Sequence, residues 1–166
     1  MNRRELYQRF SDRGFEFGAE IGVAYGDNSI SLLECFPKLK LYLIDPWAKT
    51  ARRTERFTKS VKKKAMEKLS PYADRVLVMS KRSEVAALDV SENELDIAYI
   101  DGDHSYDSVM LDIVLWGRRV KPGGILAGHD YVRTRKHGVY RAVNDYANYH
   151  GIEVKVFEGN WYWEIK

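Results

Sequence analysis

The sequence lacks the features that mark several large classes of protein. Cys35 is the only cysteine among 166 residues, so the chain can form neither an intrachain disulfide nor a cysteine-rich zinc site. No apolar run approaches the roughly eighteen residues that a membrane span needs, and the N-terminus has no apolar stretch typical of a secretory signal. We therefore expect a cytoplasmic protein without a membrane segment, in which Cys35 is a buried structural thiol.

Internal repeats, low-complexity tracts and linkers rich in proline or glycine are also absent. With 45% hydrophobic residues, the 166 residues hold enough apolar material for one core but leave no room for a second domain. We predict a single domain that spans residues 1–166.

The net positive charge is small, but basic residues are concentrated in one segment. The formal net charge is +3, yet residues 49–75 contain ten Lys or Arg and only three acidic residues. Such a segment can face an anionic partner such as a nucleic acid. The residues available for phosphate contacts are Arg52, Arg53, Lys62, Lys63 and Lys64. The favoured alternative is an amphipathic helix whose lysines are in solvent.

Short apolar runs alternate with longer amphipathic runs, and this pattern predicts strands that alternate with helices. The predicted strands cover residues 16–21, 39–44, 75–79, 95–100 and 124–127. The predicted helices cover residues 28–36, 54–69, 83–88, 106–120 and 140–149. The strands are apolar enough to be buried on both faces, as parallel strands are.

The last part of the chain has a different pattern. Two β-rich runs, at residues 152–157 and 161–165, flank a predicted turn at residues 158–160. The sequence therefore predicts a mostly parallel α/β sheet that ends in an antiparallel hairpin. At this level, flavodoxin-like and dinucleotide-binding proteins fit the pattern as well.

Two glycines stand between the first predicted strand and the first long helix. Gly22 and Gly26 are spaced Gly-x-x-x-Gly, unlike the Gly-x-Gly-x-x-Gly of dinucleotide-binding loops. Glu20 precedes them, and its carboxylate would repel a phosphate but attract the amino group of an amino-acid-like ligand. A purely structural turn is the alternative.

Acidic residues and histidines follow three further strands. Asp45 ends the second strand, where a carboxylate can accept hydrogen bonds from ribose hydroxyls. Strands four and five are predicted neighbours, so the groups at their carboxyl ends should meet at one edge of the sheet, where open α/β folds bind ligands. These groups are Asp101, Asp103, His104, His129 and Asp130.

Taken in order, these segments resemble class I S-adenosylmethionine-dependent methyltransferases. The resemblance covers residues 17–166 and is strongest to small-molecule O-methyltransferases with Ile-Asp-Gly-Asp-His-Ser-Tyr after strand four and Gly-His-Asp-Tyr after strand five, here residues 100–106 and 128–131. It implies a Rossmann-like three-layer sandwich whose mostly parallel seven-stranded sheet is closed by the antiparallel hairpin. It also implies S-adenosylmethionine as methyl donor and S-adenosylhomocysteine as product.

The resemblance also implies which residues bind the donor. Glu20 and the loop that follows it would lie beside the methionine moiety, Asp45 would bind the ribose, and the end of strand four would lie near the sulfonium. Ser83 would contact the adenine, although Lys81-Arg82-Ser83 stands where Gly-Asp-Ser is frequent in the family. The full set is Glu20, Gly22, Ala24, Gly26, Ser29, Asp45, Pro46, Ser83, Asp101 and Gly102.

The resemblance further suggests a catalytic cluster and a metal site. Relatives of the catechol and sugar type bind a divalent cation through acidic residues after strands four and five, and the matching residues are Asp101, His129 and Asp130. Oxygen ligands suit Mg²⁺, whereas a histidine ligand favours transition metals. We expect His129 or His104 to act as general base, with Asp101 and Asp130 orienting it or holding a cation.

The expected methyl acceptor is a hydroxyl group of a small molecule or sugar. The chain lacks the Asn/Asp-Pro-Pro-Tyr/Phe sequence that, in related enzymes, accompanies methylation of DNA base amino groups. About sixteen residues precede the first strand, which leaves little chain for an N-terminal lid. We therefore expect an acceptor site that is open, completed by a second subunit of a homodimer, or shaped by residues 46–75.

Other functions stay open at this point. One is methylation of RNA or another polyanion through the basic segment at residues 49–75, and another is a noncatalytic module that binds the donor without turnover. A nicotinamide-dependent oxidoreductase is a weaker alternative because of the glycine spacing.

Overall fold

The computed structural model describes residues 3–51, 53–133 and 138–166, which form one seven-stranded sheet with helices on both faces. The strands are β1 Phe17–Ile21, β2 Lys40–Ile44, β3 Val76–Met79, β4 Leu95–Ile100, β5 Val120–Gly128, β6 Lys155–Phe157 and β7 Asn160–Glu164. The helices are α1 Arg3–Gln8, α2 Asp27–Cys35, α3 Glu55–Leu69, α4 Ser83–Ala86, α5 Tyr106–Gly117 and α6 Val139–His150. Short 3₁₀ turns cover Ser11–Arg13, Ser70–Arg75 and Ala87–Asp89.

The strand order is β3-β2-β1-β4-β5-β7-β6, with β1 to β5 parallel and β7 antiparallel to both of its neighbours. This arrangement confirms the predicted Rossmann-like α/β fold with a closing antiparallel hairpin.

The core consists of two apolar layers, one on each face of the sheet. Successive side chains of a strand point to opposite faces, so Ile97 and Tyr99 of β4 pack toward α1, α2 and α3. Ala98 and Ile100 pack toward α4, α5 and α6. All four side chains are buried, which explains why the sequence of β4 is an almost unbroken apolar run.

The order of the strands reverses between β1 and β4, and open α/β sheets bind ligands at such a point. Backbone hydrogen bonds continue past the strand ends here. Gly22 N–H donates to Ile44 O (2.8 Å), and Asp101 N–H donates to Ile21 O (2.7 Å). His129 N–H donates to Ile100 O (3.1 Å). The loops after β1, β4 and β5 are therefore held side by side.

The N-terminal helix α1 was not predicted, because its six residues carry too short an apolar pattern to be distinguished from a loop. Tyr7 anchors it: its side chain is fully buried, its hydroxyl donates to Asn28 Oδ1 (2.7 Å), and its ring packs edge-on against Tyr99 with centroids 5.7 Å apart. The segment before the first strand thus packs against α2 and β4, although it was expected to supply little chain for covering the site.

The predicted boundary between α5 and β5 was wrong. We predicted a helix to residue 120 and a strand from 124, but α5 ends at Gly117 and β5 begins at Val120. Val120 pairs with Leu95, and the register of β4 and β5 shifts after this pair. The irregularity accommodates Pro122, which cannot donate a ladder hydrogen bond.

The closing hairpin is tighter than predicted. Its turn has two residues, Glu158 and Gly159, because Phe157 already pairs with Asn160. Both turn residues have positive φ (46° and 76°), as a type I′ turn requires. Residues 152–154, which were predicted as part of the hairpin, precede β6 and lie outside it.

The basic segment forms α3, as the amphipathic alternative predicted. Its inner face buries Val61, Ala65 and Leu69. Lys59 pairs with Glu55 (2.7 Å) on its solvent face. Arg52, one of the proposed phosphate contacts, lies outside the described residues.

The structure bears on two expectations, one about a membrane segment and one about Cys35. No helix among the described residues has both the length and the apolar character to cross a membrane. Cys35 is a free thiol, and its side chain is partly buried rather than fully buried as expected.

Candidate active site

The loops after β1 and β4 touch through their backbones. Gly22 has φ of 92°, and a Cβ atom placed on it would lie 2.2 Å from the carbonyl oxygen of Asp101. That separation is far inside van der Waals contact, so no residue with a side chain fits without moving the β4 loop. The first glycine of the motif is therefore required for the contact between the two loops.

Glu20, two residues before Gly22, is enclosed in the protein. Its carboxyl group is 1% exposed, accepts a hydrogen bond from Asn28 Nδ2 (3.0 Å) and is bonded to the Ser29 hydroxyl. Burial raises the pKa of Glu20 to about 8, because desolvation penalises the charged form. Glu20 therefore joins β1 to the first turn of α2, and at neutral pH it is mostly protonated.

The second glycine of the motif, Gly26, immediately precedes α2. It has φ of 80°, and a Cβ atom there would meet Leu69 Cδ1 of α3 at 3.0 Å. Gly22 thus meets a steric requirement against the β4 loop, whereas the positive φ is the main constraint at Gly26. Glu20, Gly22, Gly26 and Ser29 lie in one segment, which runs from the end of β1 to the first turn of α2.

Asp45 connects the loops after β1 and β2. Its Oδ2 accepts from the Ala24 N–H (2.9 Å) and its Oδ1 from the Trp47 N–H (2.7 Å). The Trp47 indole N–H donates in turn to Ala24 O (3.1 Å), and both residues have positive φ. Because each carboxylate oxygen has two lone pairs, Asp45 retains acceptor capacity for ribose hydroxyls. Pro46, which follows it, is exposed.

Ser83, the predicted adenine contact, belongs to a buried hydrogen-bond chain. Its hydroxyl bonds to the carboxyl group of Asp112 and accepts from Trp116 Nε1 (2.7 Å). Asp112 is 4% exposed, and burial raises its pKa to about 6. Its Oδ2 would lie 3.8 Å from a Cβ atom on Gly102. Sequence reasoning missed Asp112, although an acidic residue on the apolar face of a helix was a usable signal.

Two histidines and two aspartates meet at the ends of β4 and β5. His104 Nδ1 lies 3.1 Å from Asp130 Oδ2, and its Nε2 lies 3.5 Å from Asp101 Oδ1. His129 Nδ1 lies 3.0 Å from Asp130 Oδ1 and 3.9 Å from Asp101 Oδ1. Asp130 has φ of 55°, a strained backbone conformation of the kind that clusters at functional sites.

The two histidines have different environments. The hydrogen bond to Asp101 raises the pKa of His104. Burial lowers the pKa of His129, and the positive charge of Arg3 lowers it further. His129 Nε2 is buried, and no described residue makes a hydrogen bond to it. His129 therefore has one nitrogen directed to Asp130, while its Nε2 makes no hydrogen bond with the described residues.

Arg3 of α1 reaches into this cluster, which sequence reasoning did not anticipate. Its guanidinium lies 2.7 Å from Asp101 Oδ2, and its side chain is 25% exposed. It also lies over the ring of Tyr99, 5.5 Å from the centroid. A lone arginine near a chain end carries no sequence signal of its own.

The cluster also has the donors for a metal ion. Ligand atoms of Asp101, His104 and Asp130 all lie within 4.8 Å of one another. The resemblance implied a metal site formed by Asp101, His129 and Asp130, whereas the structure groups His104 with the two aspartates. Two carboxylates and an imidazole fit a divalent cation, and the nitrogen ligand favours a transition metal over Mg²⁺. Arg3 opposes a cation here, because it already pairs with Asp101.

The fold is a Rossmann-like α/β sheet, and the polar cluster lies at the switch point of its strand order. Residues 19–131 match the model of a family described as a methyltransferase domain. This match covers more than half of the chain, which therefore belongs to the methyltransferase domain family. No curated protein matches the sequence.

Solved structures with the same fold include several methyltransferases. The O-methyltransferase NovP is 15% identical with a TM-score of 0.75, over 98% of this chain and 79% of its own. The O-methyltransferase TomG from Streptomyces achromogenes, solved in complex with SAM, is 16% identical with a TM-score of 0.71, over 98% and 79%. The SAH-bound methyltransferase PaMTH1 from Podospora anserina is 15% identical with a TM-score of 0.70, over 99% and 78%.

The contact at Gly22 generates a stability prediction. We expect Gly22→Ala to lower the free energy of unfolding by more than about 3 kcal/mol, because a positive φ costs about 1–2 kcal/mol and the clash with Asp101 O adds to it. Gly123→Ala is the matched control, since Gly123 also has positive φ (81°) but no atom within 4 Å of its Cβ position. Urea denaturation of both variants measures the difference, and equal losses would contradict the steric argument.

Burial of Glu20 generates a pH-dependence prediction. Its pKa of about 8 in the folded chain is above the ordinary value of 4.5, so the folded state binds the proton more tightly than the unfolded state. The contribution of this group to stability is therefore complete below pH 4.5 and decreases as pH rises toward 8.

Glu20→Gln, which resembles the protonated form, should remove this decrease. Urea midpoints at pH 5, 7 and 9 would show the wild type losing stability relative to Glu20→Gln as pH rises. Glu92→Gln, at an exposed glutamate, is the control and should keep the wild-type slope. Parallel pH profiles for the wild type and Glu20→Gln would rule out a raised pKa at Glu20.

Proposed function

We propose that the protein is an S-adenosylmethionine-dependent methyltransferase that acts on a hydroxyl group of a small molecule or sugar, with residues 1–166 working as one domain. The observation that supports this most strongly is the convergence of Gly22, Asp45 and Asp101 on one edge of the sheet, beside His129. The names of structural neighbours also support it: NovP and TomG are O-methyltransferases, and TomG was solved with SAM.

In this proposal, S-adenosylmethionine supplies an electrophilic methyl group on a sulfonium sulfur. The loops after β1 and β2 hold the methionine and ribose parts, through the backbone at Gly22 and the carboxylate of Asp45. The chain must then align an acceptor hydroxyl with the methyl group and remove its proton, because an alcohol is a poor nucleophile until that proton leaves.

His129 is the proposed general base. Its Nδ1 lies 3.0 Å from Asp130 Oδ1, so the tautomer with a proton on Nδ1 is stabilised and Nε2 keeps its lone pair. Nε2 would accept the hydroxyl proton while the S–C bond of the donor breaks and the O–C bond forms. His104 is less suited to this role because both of its nitrogens face aspartates.

A divalent cation is a further proposed component of the site. Asp101, His104 and Asp130 would hold it, and it would lower the pKa of the acceptor hydroxyl as a Lewis acid. Arg3 limits this proposal, because its guanidinium already neutralises one oxygen of Asp101.

The polyanion alternative has less support. Two of the lysines that face solvent on α3 pair with acidic neighbours: Lys59 with Glu55 (2.7 Å) and Lys63 with Glu67 (3.8 Å). Lys62 bonds to Ser80 Oγ (2.6 Å). Exposed pairs of this kind are weak and can be exchanged for phosphates, so RNA stays a candidate acceptor for the assay below.

Calorimetric titration with S-adenosylhomocysteine tests the donor assignment. We expect saturable binding to the wild-type chain and weaker binding to Asp45→Asn, in which one acceptor oxygen is replaced by a donor. An assay of donor consumption over phenols, sugars and RNA, with and without EDTA, then tests the acceptor. Absence of product binding would contradict the proposed function; binding without turnover would favour a noncatalytic module, and turnover on RNA alone would favour the polyanion alternative.

Replacement of His129 tests the proposed base. His129→Gln should lower kcat at least about tenfold, since general bases contribute about 10²–10⁴-fold, and should leave S-adenosylhomocysteine affinity nearly unchanged. His150→Gln is the control, because His150 is an exposed residue at the end of α6 and should keep wild-type turnover. Unchanged turnover in His129→Gln would remove His129 from the mechanism.

A further inference from the structure

The connection between β5 and α6 is attached to His104 at both of its ends. At the end of β5, Asp130 Oδ2 lies 3.1 Å from His104 Nδ1. At the start of α6, the Gly138 N–H donates to His104 O (2.7 Å). The proposed mechanism makes no use of this second contact, although it holds the backbone of a residue in the polar cluster.

Gly138 fits against the end of the β4 loop, residues 101–105, only because it has no side chain. A Cβ atom on Gly138 would lie 2.1 Å from Tyr106 N, 2.4 Å from Tyr106 Cα and 2.8 Å from Ser105 C. All three are backbone atoms, so turning a side chain cannot relieve the clash. The φ and ψ of Gly138, −79° and −11°, lie in the right-handed helical region, which is open to any residue. Contact with the loop, rather than backbone conformation, therefore requires glycine here.

Side chains also join α6 to this part of the chain. Tyr106 OH donates to Asp145 Oδ2 (3.1 Å), and Arg141 lies over the Tyr106 ring, 5.4 Å from its centroid. Val139, the first residue of α6, is buried in the core. Because the start of α6 is itself anchored in the core, its contact with the β4 loop fixes the backbone of that loop relative to the sheet.

His104 links this loop to the proposed base. Its Nδ1 lies 3.1 Å from Asp130 Oδ2, and the other carboxylate oxygen of Asp130 lies 3.0 Å from His129 Nδ1. The carboxylate of Asp130 is thus placed between two imidazoles. A shift of the β4 loop by about 1 Å would remove the contact with His104 and leave Asp130 less well aligned with His129.

We propose that Gly138 is a positioning residue for the reaction. Its contact with the β4 loop sets the place of His104, and His104 holds Asp130 against His129. This role rests on the proposed function, because His129 acts as a base only in that function. Gly138 itself contacts neither donor nor acceptor in this role, and it acts only through the backbone of the β4 loop.

Gly138→Ala tests the role by separating turnover from donor binding. The added Cβ atom forces the β4 loop or the start of α6 to move, and a misplacement of about 1 Å can cost about a hundredfold in rate. On the acceptor found in the donor-consumption assay, kcat should fall at least about tenfold, while the Kd for S-adenosylhomocysteine should change less than about threefold.

Gly151→Ala is the matched control. Gly151 follows the other end of α6 with φ of 63°, but no atom lies within 4 Å of its Cβ position. The variant strains the helix end without moving the β4 loop, so it should keep the wild-type kcat.

A double-mutant cycle with His104→Asn distinguishes positioning from general damage. If Gly138 acts through His104, Gly138→Ala should lower kcat by less than about threefold in the His104→Asn background, because the contact that it disturbs is already lost. Equal losses of kcat in both backgrounds would overturn the role.

Imidazole ¹⁵N spectra give a readout that needs no acceptor. They distinguish a proton on Nδ1 from a proton on Nε2, and His129 should carry it on Nδ1 in the wild type and in Gly151→Ala. Gly138→Ala should show a mixture of the two tautomers, because Asp130 is less well placed. Identical His129 spectra in the wild type and Gly138→Ala would contradict the proposal.

Amide hydrogen exchange of the wild type covers the case in which Gly138→Ala does not fold. The first N–H groups of a helix have no partner within it, so only His104 O protects the Gly138 amide. We expect this amide to exchange slowly, and exchange at the rate of an unstructured chain would overturn the contact. An equal loss of kcat and donor affinity in Gly138→Ala would show structural damage instead of positioning.

The proposed function can fail separately. If the wild type consumes no donor with any acceptor, the methyltransferase assignment is overturned. The imidazole spectra and the exchange rate still decide in that case whether Gly138 sets the place of the histidines.

Discussion

The site depends on the direct backbone contact between the loops after β1 and β4. A Cβ atom on Gly22 would lie 2.2 Å from Asp101 O, so the strand ends can approach this closely only where a side chain is missing. Backbone hydrogen bonds from Gly22 and Asp101 extend the sheet pairing to the loops. Through this contact, residues some eighty positions apart in the chain share one surface.

Burial then decides which ionisable groups are available for chemistry. Glu20 is enclosed and hydrogen-bonded to Asn28 and Ser29, and burial raises its pKa to about 8. Asp101 lies at the surface of the contact and faces His104, His129 and Arg3. The neutral form of His129 is favoured by burial and by Arg3, while its Nδ1 is held near Asp130. One compact site thus contains acidic, basic and cationic groups with separate roles.

Part of this arrangement could be predicted from local patterns. The apolar run of β4 was readable because that strand is buried on both faces. The closing hairpin was indicated by two β-rich runs on either side of a turn. The boundary between α5 and β5 was missed, since Pro122 lies in a register shift that depends on pairing with β4. Asp112 and Arg3 were missed because their partners, Ser83 and Asp101, are distant in sequence.

By itself, the sequence determined the fold class, the glycine loop and the acidic and histidine residues at the ends of β4 and β5, since each of these follows from short-range periodicity and turn chemistry. Tertiary structure alone decided that Glu20 is enclosed and that Arg3 reaches Asp101. It also decided that His104 directs one nitrogen to each aspartate, whereas His129 directs only Nδ1 toward them. Distances between side chains on different elements, and the loss of solvent around them, arise only when the elements pack. Local sequence patterns indicate which runs are buried, but not which charged side chains become enclosed or paired.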